Sequence, residues 1–260
     1  MSGLIAVLGF GEAGSLIARD LVLAGAAVRG FDPKALPPDG VAGAGSDAEA
    51  VVGAGLVLSL NSAGDAVAAL TASLDALEPG AVWADLNTAS PAVKRRLADI
   101  GAGRGVPVAD IAMMAPVPGS GLRVPMLASG DAEYAAATLR GYGADIEVLD
   151  GPAGLAATRK LLRSVFYKGM SASIVEALEA AEAVGLGDWL RPHIGEELTA
   201  ADASIVERIV TGTRRHAVRR GHEMAAAAEM LTDLGVQPTM ADASRALHER
   251  LAAEAEDSQR

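Results

Sequence analysis

The chain has 260 residues, half of them hydrophobic and 21% charged, which fits one large or two modest globular domains. It has no cysteine, so disulfides, thiolate metal sites and cysteine nucleophiles are excluded. Its net charge of −11 argues against nucleic acid and acidic membranes as partners, although a local basic pocket for a small anion stays open.

The first residues run into an apolar strand at 4–8 with no basic leader or cleavage site, so no signal peptide is expected. No apolar run reaches the roughly 18 residues of a membrane span, and a cytoplasmic location is expected. An amphipathic helix follows at 14–24, then a strand at 27–31. Further strands are predicted at 56–60, 82–86, 106–110, 126–129 and 146–149, with helical stretches between several of them. Alternation at this spacing predicts a mostly parallel sheet covered on both faces, with room for an antiparallel edge late in the order. From Ala153 no convincing strand remains. A long helix is predicted over 153–184, stopped by Gly185-Leu186-Gly187. A short helix at 192–198 follows, then one at 201–234 broken near Gly212 or Gly221, and a last one at 240–254. The fold class is α/β: a mostly parallel sheet domain over 1–150, then an all-α domain over 151–260.

Gly9-Phe10-Gly11-Glu12-Ala13-Gly14 ends the first strand and opens the first helix. In that setting Gly9 permits a tight turn, Gly11 lets a pyrophosphate approach the backbone, and Gly14 lets helix and strand pack closely. The helix N-terminus offers unpaired N–H groups to phosphates. Asp32 ends the second strand, 18 residues after Gly14, where a carboxylate accepts from the adenosine ribose. The six residues Gly9 to Gly14 together with Asp32 are therefore read as a dinucleotide site, with NAD favoured over NADP and Lys34 opposing that preference. Gly53-Ala54-Gly55 precedes a strand and reads as a connection; Gly43-Ala44-Gly45 reads as a loop. Asn61, Asn87 and Thr88 lie at later strand ends, where ligands of open α/β sheets bind. Ser90-Pro91 reads as a helix cap.

Only four lysines are present, Lys34, Lys94, Lys160 and Lys168. On a helical wheel Arg163, Ser164, Tyr167 and Lys168 fall within about 80° of Lys160, with Leu161, Leu162, Val165 and Phe166 opposite. That apolar arc is expected to lie against the first domain. The polar stripe is either a solvated face or the lining of a cleft, where a partly dry lysine can exchange a hydroxyl proton. His216, Arg219, Arg220 and Glu223 share another helix face, read as a salt-bridged surface or an anion site.

Gly9–Gly14, Asp85–Pro91, Met114-Ala115-Pro116-Val117-Pro118-Gly119-Ser120-Gly121 and the helix from Gly154 to Lys168 resemble the β-hydroxyacid dehydrogenases. That family includes 3-hydroxyisobutyrate, tartronate semialdehyde and 6-phosphogluconate dehydrogenases. The similarity is strongest to a branch with a short helical C-terminal domain of unknown function, and it covers nearly the whole chain. It implies a Rossmann-type first domain and NAD or NADP as cofactor. It implies Lys160 as acid/base, with Lys168 as the fallback on the same stripe, and Thr88 plus Gly119, Ser120 and Gly121 as substrate-binding residues. The family's two asparagines after the lysine are replaced here by Arg163 and Ser164. Ser164 still offers a hydrogen bond, and Arg163 points to a more anionic substrate. The resemblance further implies a homodimer formed through the helical domain. The expected function is hydride transfer between a nicotinamide cofactor and a small 3-hydroxyacid. The alternatives are an imine reductase on the same scaffold and a non-catalytic dinucleotide binder.

Overall fold

A computed structural model describes residues 3–258. The chain falls into two compact units, Met1–Arg163 and Ser164–Arg260. The first holds β1 (Leu4–Leu8), β2 (Val28–Phe31), β3 (Ala42–Gly43), β4 (Ala54–Ser59), β5 (Val82–Asp85), β6 (Val108–Met113), β7 (Met126–Gly130) and β8 (Ile146–Val148). They form one sheet in the order β3-β2-β1-β4-β5-β6-β7-β8. β1 to β6 run parallel, β7 is antiparallel to β6, and β8 is parallel to β7. The reversal thus takes in two strands. Between β6 and β7 the chain makes only a 3-10 turn at Gly121–Arg123, and without a helical crossover the next strand returns antiparallel.

Alternate residues of each strand enter opposite cores. Ile5, Val7, Leu56 and Leu58 pack with Ile17 and Leu21 of α1 (Glu12–Leu23) and Leu139 of α5 (Glu133–Gly141). Ala6, Leu8, Val57 and Trp83 pack with Leu70 of α3 (Ala66–Ser73) and Leu97 of α4 (Pro91–Ala102) on the other face. A short α2 (Asp47–Val51) completes that layer. Both faces are covered, and so the strands read as near-continuous apolar runs. The first connection leads from β1 to β2 on one side of the sheet, while β4 pairs with β1 on its other side. The carboxyl ends of β1 and β4 thus flank the point where the strand order reverses, the usual ligand position in such sheets.

The unit boundary falls at 163/164 within α6 (Leu155–Ala183), and not near 150/151. The reason is local: the first turn of α6 is hydrogen-bonded into β6 and β7. The second unit continues with α7 (Gly187–Ala200), α8 (Ile205–Arg215), α9 (Ala217–Asp233) and α10 (Thr239–Asp257). α9 and α10 pack through Ala217, Ala228, Leu231, Ala241 and Leu251. Glu176 caps α10, accepting from the N–H groups of Met240 at 2.7 Å and Ala241 at 2.9 Å. The break expected near Gly212 or Gly221 lies at His216 instead. Gly221 is buried within α9, and a Cβ there would stand 3.7 Å from His248, so it serves close helix packing. Gly43, read as a loop, belongs to β3. Among the described residues no helix is long and apolar enough to cross a membrane, and no group of His, Asp and Glu could hold a metal ion.

The apolar arc of α6 is not buried as expected. Leu162, Val165 and Phe166 are 66%, 76% and 68% exposed. The helix is instead seated by small residues ahead of Lys160: Ala156 and Ala157 are buried, and Gly154 packs so closely that a Cβ would stand 2.9 Å from the carbonyl of Pro91.

Candidate functional site

The glycine turn is shaped by contacts that leave no room for side chains. Gly9 has φ +100°, and a Cβ there would lie 2.6 Å from the backbone of Leu60 and Asn61. At Gly14 it would lie 2.0 Å from the Gly9 carbonyl oxygen. Gly11 is different: nothing stands within 4 Å of the position a Cβ would take. Its freedom from contact is open space above the turn. Gly11 is also the N-cap of α1, and no side chain accepts from the first turn of that helix. Glu12 is exposed and Ala13 half-buried on that turn, while the Phe10 ring is buried against Gly30. Phe10 was expected to help hold the cofactor; its side chain is core and its N–H is already engaged.

That N–H donates to Asp32 Oδ2 at 2.7 Å. Asp32 Oδ1 accepts from the N–H groups of Lys34 at 2.7 Å and Ala35 at 3.1 Å. Burial pushes the Asp32 carboxyl up, but the three N–H groups and the nearby Lys34 together outweigh it and hold it below its ordinary value. Asp32 therefore ties the glycine turn to the end of β2 as a carboxylate. Its contribution to folding is present above the pH at which a free aspartate titrates and is lost as pH falls through the lowered value. A crevice of about 410 Å³ opens here, lined by Gly9, Gly11, Asp32, Lys34, Asn61 and Ser62 among others.

Asn61 leads from this crevice inward. Its Oδ1 accepts from Ser59 Oγ at 2.8 Å and Asn87 Nδ2 at 2.9 Å. Asn87 Nδ2 also meets Ser59 Oγ at 3.0 Å and Asp85 Oδ1 at 2.6 Å. The next residue, Thr88, accepts from Lys160 Nζ at 2.8 Å across 72 positions of sequence. Ser90 caps α4, accepting from the Val93 N–H at 3.3 Å, as its sequence context implies. The fold thus gathers Gly9, Gly11, Asp32 and Asn61 at one crevice, links Asn61 to Asn87, and joins Thr88 to Lys160.

Other expected residues lie elsewhere. Gly121 packs on α1, where a Cβ would stand 1.8 Å from Asp20 Oδ2, and Asp20 accepts from the Leu122 N–H at 2.7 Å. The loop of Gly119, Ser120 and Gly121 is thus pinned to the third turn of α1. Arg163 and Lys168 are exposed on α6 and Ser164 is half-buried. In the second unit Arg219 pairs with Glu223, while Arg220 donates to Thr213 Oγ1 at 2.6 Å. Arg214, Arg215, His216, Arg219 and His222 line a shallow hollow with Glu256.

A buried cluster was not anticipated. Lys94 Nζ contacts Asp85 Oδ2 at 2.7 Å, the Asp85 carbonyl at 2.8 Å and Asp110 Oδ1 at 3.0 Å. All three side chains are 2% exposed or less. The available signal was two acids in otherwise apolar strands, which demand a cation or a set of donors.

A strand, a sterically closed glycine turn, an uncapped helix start and a fixed carboxylate on the next strand define a dinucleotide-binding α/β protein. Residues 4–133 match the family described as the NAD binding domain of 6-phosphogluconate dehydrogenase, and the chain belongs to that family. Residues 181–251 match a domain of unknown function, DUF1932. A conserved hypothetical protein from Sinorhizobium meliloti 1021 is 29% identical, covering 97% of this chain and 88% of its own, with TM-score 0.62. A conserved protein of unknown function, described as structurally similar to 3-hydroxyacid dehydrogenases, is 25% identical over 95% of this chain and 96% of its own, with TM-score 0.61. An imine reductase from Streptomyces aurantiacus shares the fold, with TM-score 0.78 at 20% identity over 98% of this chain and 95% of its own. An uncharacterized 28.5 kDa protein from Methanothermus fervidus is 28% identical over 115 residues, which is 44% of this chain and 46% of that relative's length. The match therefore spans just under half of that curated relative.

Proposed function

We propose that this chain is an NAD(P)-dependent oxidoreductase acting on a small anionic 3-hydroxyacid or its keto form, with Lys160 as the acid/base. The observation that carries the reading is the Lys160–Thr88 hydrogen bond of 2.8 Å, next in sequence to an asparagine that is bonded to the crevice residue Asn61. The bound dinucleotide supplies the hydride acceptor or donor. Gly11 and the first turn of α1 are suited to its phosphates, since Gly11 is open and the turn has no side-chain cap. Asn61 presents its amide into the crevice, with Asn87 bonded behind it.

Lys160 gives or takes the proton of the substrate hydroxyl, and the Thr88 hydroxyl orients both lysine and substrate. Arg163, one turn from Lys160, adds a second cation and favours a substrate carboxylate or a further acidic group. Ser164 completes that turn. Lys168 lies two turns beyond Lys160, about 12 Å along the helix, and is the weaker candidate. The exposed apolar side chains of α6, together with Val206, Ile209 and Val210 of α8, support a homodimer through the helical unit. The test is a panel of small 3-hydroxyacids, aldehydes and imines with both cofactors, followed by absorbance of the reduced nicotinamide. Turnover of imines alone would replace the hydroxyacid reading, and tight dinucleotide binding without turnover would leave a binding protein.

Asp32 supports NAD over NADP, because a carboxylate held ionised repels a 2′-phosphate. In Asp32→Asn the preference for NADH over NADPH should narrow by about tenfold or more, roughly one like-charge contact's worth of free energy. Fluorescence titration with both reduced cofactors measures it. Tighter binding of NADPH by the unmodified protein would refute the preference.

A further inference from the structure

We propose that Lys94 is a positioning residue, one that aligns both the cofactor-facing amides and the helix carrying Lys160 from a site it never shares with a ligand. The inference rests on the dinucleotide reading above. Lys94 is 2% exposed, and its three ammonium protons face the three oxygens of Asp85 and Asp110 already described. A buried cluster of two carboxylates and one ammonium is a costly way to fill space that leucine or methionine would fill. Its distinguishing feature is how the carboxylates are shared. Each gives one oxygen to Lys94 and the other to a part of the proposed site.

The first branch runs through Asp85. Its Oδ1 accepts from Asn87 Nδ2 at 2.6 Å, and Asn87 in turn donates to Asn61 Oδ1 at 2.9 Å. With Oδ1 committed inward, the Nδ2 of Asn61 is the group left to meet a ligand in the crevice it lines. The second branch runs through Asp110. Its Oδ2 accepts from the N–H groups of Gly154 and Ala157, both at 3.0 Å, and meets Ser129 Oγ at 3.4 Å. Ser129 Oγ accepts from the Ala156 N–H at 3.0 Å. The first turn of α6 is thereby fixed, and Lys160 is placed one turn later. The carboxylate excess of the cluster faces the positive end of this 29-residue helix, which balances it. Removing the ammonium leaves two buried carboxylates without their shared partner, and both branches lose their register.

The test is a double-mutant cycle in the full-length protein, reading NADH affinity by fluorescence and folding by melting temperature. Lys94→Met and Asn87→Ala should each weaken NADH binding by about tenfold, and the double variant should be no weaker than the poorer single one, because both act through one chain of bonds. A purely structural Lys94 gives a lower melting temperature with NADH affinity within about twofold, or losses that multiply in the double variant; either result overturns the proposal. Should Lys94→Met not fold, Asp85→Asn keeps Lys94 paired with Asp110 and is expected to lose about tenfold in NADH affinity, with a change under twofold counting against the proposal. Failure of the unmodified protein to bind NADH or NADPH would instead overturn the dinucleotide reading and this inference with it.

Discussion

Replacing Lys160 by alanine is expected to lower kcat on the best hydroxyacid by about 10²–10⁴-fold, the range removed when a positioned proton donor or acceptor is lost. The geometry explains why cofactor binding should change little. Lys160 bonds to Thr88, whereas the crevice residues Gly9, Gly11, Asp32 and Asn61 are held by other contacts. NADH affinity is therefore expected to stay within about threefold, since Lys160 does not line the crevice and its bond to Thr88 lies outside the Asn87–Asn61 chain. Lys168→Ala separates the two lysines: if Lys160 acts, the Lys168 variant keeps most of its turnover. Unchanged turnover in Lys160→Ala would remove the lysine from the mechanism and favour an imine-type reaction that does not use it. Steady-state kinetics and a fluorescence titration on the two variants are sufficient.

The glycine turn was readable in the sequence because its demands are local. The turn, its helix and its strand are contiguous, and steric exclusion at Gly9 and Gly14 acts between neighbours. Asp32 was readable as a position, and its bonds to the N–H groups of Lys34 and Ala35 are local, but its bond to the Phe10 N–H depends on how β1 and β2 sit side by side. Thr88 and Lys160 are 72 residues apart, and only family resemblance joined them before the fold did. Lys94 was hidden by its neighbours: Val93-Lys94-Arg95-Arg96-Leu97 reads as an ordinary basic helix surface, yet α4 turns this one cation inward to one acid of β5 and one of β6. α6 misled in the opposite sense. Periodicity located its apolar arc correctly, but periodicity says nothing about what covers an arc, and Leu162, Val165 and Phe166 are exposed on the single chain. The helix break at His216 illustrates the same limit, since Gly221 is used for packing against α10 and not for interrupting α9.

Two glycines of one turn should respond differently to the same methyl group. In Gly14→Ala the new Cβ would sit 2.0 Å from the Gly9 carbonyl oxygen, a backbone atom that cannot swing aside as a side chain would. Relieving that overlap must push α1 away from the end of β1, opening a junction otherwise packed by Ile17, Ala18 and Leu21. Overpacking of this kind costs about 1–3 kcal/mol or more. In a chain of this size that corresponds to a fall of roughly 2–12 °C in melting temperature. NADH binding should be lost with it, because the first-turn N–H groups of α1 move. Gly11→Ala meets nothing within 4 Å, and Gly11 already holds φ −62° and ψ −173°, which alanine adopts without strain. Its melting temperature should be unchanged. NADH affinity should still fall by about a hundredfold, since the methyl occupies the space that a phosphate needs and two to three kcal/mol is ordinary for a blocked close contact. Thermal melts and cofactor titrations of both variants decide the matter. Equal affinity in Gly11→Ala and the unmodified protein would mean that the open space above the turn is not where the dinucleotide lies.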